Sequence, residues 1–180
     1  MRYILTVIFL IAIVVAFSYR NIYCPRGGER LSECGAVTIY AVSKGGVETV
    51  PQISKTDAEW KKLLTREQYK ITVGMGTEKP FVNKYYANKK KGIYKCARCG
   101  TDLFSSDQKY DSGSGWPSFT APVSRNNIIL RKHLTLLGMR TRVFCARCSA
   151  YLGEVFDDGP PPARERYCMD SAAFDFIEAH

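Results

Sequence analysis

Cys96-Ala-Arg-Cys99 and Cys145-Ala-Arg-Cys148 repeat one spacing. Cys-x-x-Cys is the interval at which a tight turn presents two thiolates to a single ion, and each pair is followed by a small residue. Zn2+ takes four soft ligands in a tetrahedron, so two such turns close its shell and leave no position for a substrate. Zinc held this way supports structure and does no chemistry. A thioredoxin-like redox pair and two structural disulfides are the competing uses of the same residues, and an oxidising compartment would permit the second. The duplicated spacing favours zinc. The 45 residues between the pairs exceed the about 15–20 of an ordinary zinc ribbon, so the ion would clamp two distant hairpins of a larger sheet.

A different chemistry sits at Cys168, in Arg166-Tyr-Cys-Met-Asp170. On a strand, period two places Arg166, Cys168 and Asp170 on one face. A neighbouring guanidinium favours the thiolate, which makes Cys168 a candidate nucleophile; a lone Cys in an apolar strand is otherwise inert packing.

The elements that must carry these residues are legible in outline. Gly92 to Cys96, Ile128 to His133, Met139 to Cys145, Tyr151 to Phe156, Arg166 to Met169 and Ala173 to Ile177 read as short strands, cut by Gly and Pro. Thr56 and the residues around it supply helix-start chemistry for a helix at about Asp57 to Leu64, with a second short helix from Thr65. Residues 21–54 are polar and Gly-rich and read as a tether with one short strand, Val37 to Val42. Ahead of them, Tyr3 to Phe17 carry no charge and follow Arg2, which suits the apolar region of a signal peptide or a short membrane anchor over residues 1–20. Ala16-Phe17-Ser18 offers a cleavage site, and cleavage and retention are both open. Export to a cell envelope or secretory lumen is expected.

The chain has 180 residues, 46% of them apolar and 24% charged, with a net charge of +9. That leaves room for one ordinary domain and excludes a disordered, collagenous or coiled-coil chain. Lys84, Lys89, Lys90, Lys91, Lys95 and Arg98 form a basic cluster that reads as a solvated face, and no nucleic-acid partner is expected.

Beyond single residues, Thr65-Arg-Glu-Gln-Tyr69, Gly76-Thr-Glu-Lys-Pro-Phe81, Gly92-Ile-Tyr-Lys-Cys-Ala-Arg-Cys99, Lys109-Tyr-Asp-Ser-Gly-Ser-Gly-Trp-Pro-Ser-Phe119, Phe156-Asp-Asp-Gly-Pro160 and Arg166-Tyr-Cys168 follow one another in an order that resembles the B-type peptide methionine-R-sulfoxide reductases. The resemblance spans about residues 55–178. It implies a mainly β fold of two antiparallel sheets with short N-terminal helices, a structural four-cysteine zinc site at Cys96, Cys99, Cys145 and Cys148, and Cys168 as the catalytic cysteine. It also implies a substrate wall at Trp116, with Tyr151 and Phe156 from the segment Tyr151-Leu-Gly-Glu-Val-Phe156. The expected partners are oxidised proteins carrying methionine-R-sulfoxide and a thioredoxin-like dithiol, with a monomeric enzyme.

The sequence also departs from that family. Its usual His-Leu-Gly-His-Val-Phe segment has Tyr151 and Glu154 at the histidine positions, Asp170 replaces an Asn, Arg142 stands where Glu is usual, and Ser114 occupies the place of a resolving Cys. His133 and His180, the chain's two histidines, match neither family position. A proton donor is therefore expected from Glu154 and Asp170: if they converge, two carboxyls sharing a site raise one pKa. The alternative leaves Glu154 solvated and Asp170 paired with Arg166. Cys24 and Cys34 form a mutual disulfide or take part in reduction of Cys168. A zinc-binding family member that binds without turnover is the competing function.

Overall fold

A computed structural model of the chain describes residues 35–136 and 138–179. The expected membrane-directed run, Cys24, Cys34 and His180 lie outside them.

Part of the segment expected as a tether is a β-hairpin. Strands β1 (Ala36–Ala41) and β2 (Gly46–Pro51) pair antiparallel, from Ala36 opposite Pro51 to Ala41 opposite Gly46. Gly45, at φ 61°, takes the left-handed conformation that the turn requires. The sequence shows one strand here because β2 buries little and so lacks a strong apolar alternation. Asn127 fastens the hairpin to the domain. It is fully buried, accepts from Tyr40 N (2.7 Å), and donates to Tyr40 O (2.8 Å) and Asp102 O (2.6 Å). Asn127→Ala would strand these groups in a dry site, so urea unfolding should show a loss of about 3 kcal/mol. Unchanged stability would mean that the Asn127 bonds add nothing to the fold.

Two helices follow, α1 (Asp57–Leu63) and α2 (Arg66–Thr72), each opened by a capping box. Glu59 reaches back to Thr56 N (2.7 Å) and Gln68 to Thr65 N (3.1 Å), satisfying backbone donors that a helix start leaves free. The buried faces are Trp60 on α1 and Ile71 on α2.

The remainder is β: β3 (Gly92–Cys96), β4 (Asp102–Ser105), β5 (Lys109–Tyr110), β6 (Ser118–Phe119), β7 (Ile128–Thr135), β8 (Gly138–Cys145), β9 (Tyr151–Phe156), β10 (Arg166–Met169) and β11 (Phe174–Glu178). They form a six-stranded sheet ordered β5-β6-β10-β9-β8-β7 and a three-stranded sheet ordered β11-β3-β4, antiparallel throughout. The expected two-sheet core is present, with the hairpin as a third, separate ribbon. Strands β4, β5 and β6 are additions to the sequence reading; β5 and β6 are two residues long, too short to show a period.

Aromatic rings join the sheets. Phe104 of β4 stacks on Phe119 of β6 (centroids 4.6 Å apart), and Tyr94 of β3 meets Phe119 edge-on (5.1 Å). Such offset and edge contacts add to burial energy and fix the sheets' relative placement. Lys90 and Lys91 of the basic cluster pair with Glu178 and Asp107 on the surface.

Candidate active site and metal centre

Strand β10 alternates as the period requires: Tyr167 and Met169 are fully buried in the core, and Arg166 and Cys168 face the other way. Cys168 lies opposite Glu154 of β9 and Ser118 of β6. Gly153 makes room for this pairing: a Cβ there would sit 2.3 Å from Cys168 O. Cys168 opens into a cleft of about 450 Å³ that it shares with Trp116, Tyr151, Glu154, Phe156 and Asp170. The tertiary structure thus gathers the sequence's candidate catalytic and substrate-wall residues, with the exception of Arg166, into one cavity wall.

Trp116 is held by its own ring nitrogen, which donates to Glu78 O (3.3 Å). The loop before it packs through Gly115, at φ 88°, whose missing Cβ would lie 2.6 Å from Pro80. Ser114 Oγ sits 3.8 Å from Cys168 Sγ. Tyr151 is buried edge-on against Phe144 (5.7 Å), and burial pushes its phenol pKa up, so it stays neutral in the wall.

Two electrostatic expectations change. Arg166 does not set the charge of Cys168: burial pushes the thiol pKa up, and Ser114 and Arg166 only oppose that effect. The Arg166 guanidinium is instead committed as a two-pronged fork to Asp158 (2.7 and 2.8 Å) and lies 4.4 Å over the Phe156 ring. Nor does Glu154 pair with Asp170. The Glu154 carboxylate lines the cleft but turns toward the outer strands, 3.4 Å from His133 Nε2 and 4.0 Å from Arg140 Nη1.

The carboxyl that neighbours Asp170 is Glu78. Asp170, only 4% exposed, accepts at Oδ1 from Thr77 Oγ1 (2.9 Å) and Glu78 N (3.1 Å). Burial outweighs these bonds and, aided by the Glu78 charge, raises its pKa to about 7. Glu78, itself pushed up by burial, accepts from Ser171 N and from Ala172 N (3.1 Å), anchoring the turn after Asp170. Thr77 and Glu78 stand within Gly76-Thr-Glu-Lys-Pro-Phe81, whose order was visible but whose role was not. Nothing local to that motif points to Asp170, 92 residues from Glu78.

The four knuckle cysteines converge elsewhere. Cys96 ends β3 and Cys145 ends β8, so each sheet contributes one pair. Their sulfurs lie within 4.8 Å of one another, with Cys96–Cys148 and Cys99–Cys145 each at 3.6 Å. Those distances are far too long for disulfides and match the about 3.8 Å edge of a tetrahedron with 2.3 Å metal–sulfur bonds. Gly100 and Ser149, which follow the two pairs, both adopt positive φ (72° and 55°), so the turns are alike. Within the quartet, hydrogen bonds led by that from Cys145 pull the Cys99 thiol down and push Cys96 and Cys148 up. Four thiols this close cannot all ionise without a cation between them, a conflict that a bound dication removes. The donor set fits a metal ion.

Comparison with known proteins agrees with this geometry. The SelR domain matches residues 64–178. A peptide methionine sulfoxide reductase MsrB from Hahella chejuensis is 48% identical over 128 residues, 71% of this chain and 92% of the relative. MsrB proteins from Methanosarcina barkeri (47% over 124 residues, 69% of this chain and 87% of the relative) and Leptospira interrogans (48% over 126 residues, 69% and 95%) are similar. With the SelR domain covering most of the described β structure and about half of the residues identical across it, the chain belongs to the MsrB family of peptide methionine sulfoxide reductases.

Proposed function

We propose that the protein is a thiol-dependent reductase of methionine-R-sulfoxide in oxidised proteins, with Cys168 as its nucleophile. The observation that carries this reading is a single cleft holding a half-buried thiol, an aromatic wall and a buried carboxyl that keeps its proton up to about pH 7. The Cys168 thiolate attacks the sulfoxide sulfur, Asp170 gives its proton to the sulfoxide oxygen, and methionine leaves as Cys168 becomes a sulfenic acid. Trp116, with Phe156 and Tyr151, packs the methyl and methylene groups of the substrate. Arg166 and its Asp158 partner steady β10 beside the nucleophile, and Glu154 supports the cleft through His133 and Arg140.

Two further thiols then return the sulfenic acid to thiol, with net formation of one disulfide and one water. Ser114, next to the sulfur, can hydrogen-bond the sulfenic oxygen but cannot form a disulfide. A thioredoxin-like dithiol, or Cys24 or Cys34 of the N-terminal segment, must fill that role. Zinc is the ion this four-thiolate set suits, and when bound it cross-links the two sheets and takes no part in the reaction. We further propose export, directed by the apolar segment before residue 20.

A dabsylated methionine sulfoxide supplied as separate R and S epimers, with dithiothreitol, tests the reading. The R epimer alone should turn over, and after one equivalent without reductant a sulfenic-acid reagent should label Cys168. Preference for the S epimer, or labelling of another cysteine, refutes the assignment. Absence of turnover with zinc and fold intact would support the competing role, binding without chemistry, which the raised thiol pKa of Cys168 favours.

A further inference from the structure

The cleft has a cation that the reaction leaves unused. Arg142 of β8 lies opposite Glu154, which lies opposite Cys168, so antiparallel pairing puts all three on one face of the large sheet. Arg142 lines the same cleft as Cys168. Two strand spacings separate their backbones, about 10 Å.

The natural partner of Arg142, the Glu154 carboxylate, is turned to His133 and Arg140 instead. Among the described residues no carboxylate stands within ion-pair distance of the Arg142 guanidinium. Its side-chain contact is Met75 Sδ (3.7 Å), a weak acceptor on a residue that is 46% exposed and held at φ 53°. The other carboxylates near the site are committed: Asp158 to Arg166, and Asp170 to Thr77 and Glu78 N. More positive charge lies around Arg142. Arg131 faces it from β7, Arg140 precedes it by two on β8, and Lys70 of α2 reaches Thr77 O (3.1 Å) on the other side of the cleft. A guanidinium half out of water with no anion beside it is a site prepared for one.

We propose that Arg142 is a specificity residue that binds a carboxylate of the substrate chain, so that the preferred substrates are methionine-R-sulfoxides with Asp or Glu two residues away. This inference rests on the reading of the Cys168 cleft as the sulfoxide site. The spacing suits it. Residues two apart on an extended peptide lie about 7 Å apart on one face, and the reach of an acidic side chain and of the guanidinium covers the rest of the distance from Cys168 to Arg142. Met75 yields its place beside the guanidinium when such a chain binds.

The full zinc-loaded chain with dithiothreitol is assayed on three blocked pentapeptides whose central methionine-R-sulfoxide has Ala on each side and Glu, Gln or Lys at both positions two residues away. Wild type should prefer the Glu over the Gln peptide about fivefold in kcat/KM at low salt, the size of one partly exposed ion pair, with the difference in KM and shrinking at 0.5 M NaCl. Arg142→Gln should bring that ratio toward one, Arg142→Glu should invert it toward the Lys peptide, and Arg142→Lys should keep it. A wild-type ratio of one, a ratio insensitive to salt, or an equal loss on all three peptides in Arg142→Gln overturns the proposal; the last would place Arg142 on the sulfoxide oxygen or in the fold. If wild type fails to reduce even the Gln peptide, the reductase reading itself falls, and the proposal with it.

Discussion

Cys96→Ser or Cys148→Ser should release zinc and unfold the protein. Both sulfurs are buried, at 1% and 3% exposure, and each belongs to the knuckle of a different sheet. The quartet is a cross-link between sheets that otherwise meet chiefly through side chains, so its loss removes more than one ligand's worth of order. Three remaining thiolates hold the ion poorly, and without it their charge is buried uncompensated. A structural zinc held by four thiolates is worth about 10 kcal/mol or more of apparent stability, which exceeds the margin by which most domains of this size are folded. Elemental analysis should find one zinc per chain in wild type and none in either variant, with loss of the β circular-dichroism signal. A strong chelator should act on wild type in the same way. A soluble, folded and active Cys96→Ser variant would show that the aromatic core suffices and that the knuckles are not a structural metal site.

Asp170→Asn should separate two effects that a merely damaged site would join. In the proposed mechanism, sulfenic-acid formation needs Asp170 protonated and Cys168 ionised. Asp170 gives up its proton at about pH 7, whereas burial holds the thiol above its ordinary range. The two groups are therefore in reversed order. The fraction of molecules in the reactive state rises about tenfold per pH unit up to about 7, then stays level until the thiol titrates. Asn has no proton to give, so the single-turnover rate should drop by about 10²–10⁴-fold. What remains should keep climbing with pH beyond 7, following the thiolate alone. Above pH 7 the variant also lacks the negative charge that opposes ionisation of Cys168, so alkylation by iodoacetamide should quicken.

Stability offers a third readout. Because the folded pKa of Asp170 lies above its unfolded value, the native state binds the extra proton between about pH 4 and 7, and wild type loses stability as pH rises through that window. Asp170→Asn should accordingly be the more stable protein at pH 8 and lose that advantage below about pH 4. A variant with slower chemistry, faster alkylation and higher stability cannot come from a loosened fold. Unchanged single-turnover rates would remove Asp170 from the reaction.

How far these groups could be foreseen depends on the range over which each is specified. The two capping boxes lie within four residues, and the helices begin where Thr56 and Thr65 place them. Strands of four or more residues with clear alternation were legible. The two-residue β5 and β6, the evenly buried β4 and the sparsely buried β2 were not, because they are held by their neighbours rather than by their own pattern.

At the site, the ligand quartet and the phase of β10 follow from residue order alone, since Cys-x-x-Cys spacing and strand alternation are local geometry that any surrounding fold preserves. Which charges meet is a matter of tertiary packing. Packing set Glu78 rather than Glu154 beside Asp170, gave Arg166 to Asp158, turned Glu154 toward His133 and left Arg142 without an anion. It also let burial outweigh the expected effect of Arg166 on Cys168, because the energy of an ionised group depends on how much water it loses and what charge faces it. Both are set by chain segments distant in sequence, and neither is written in the residues next to the group itself.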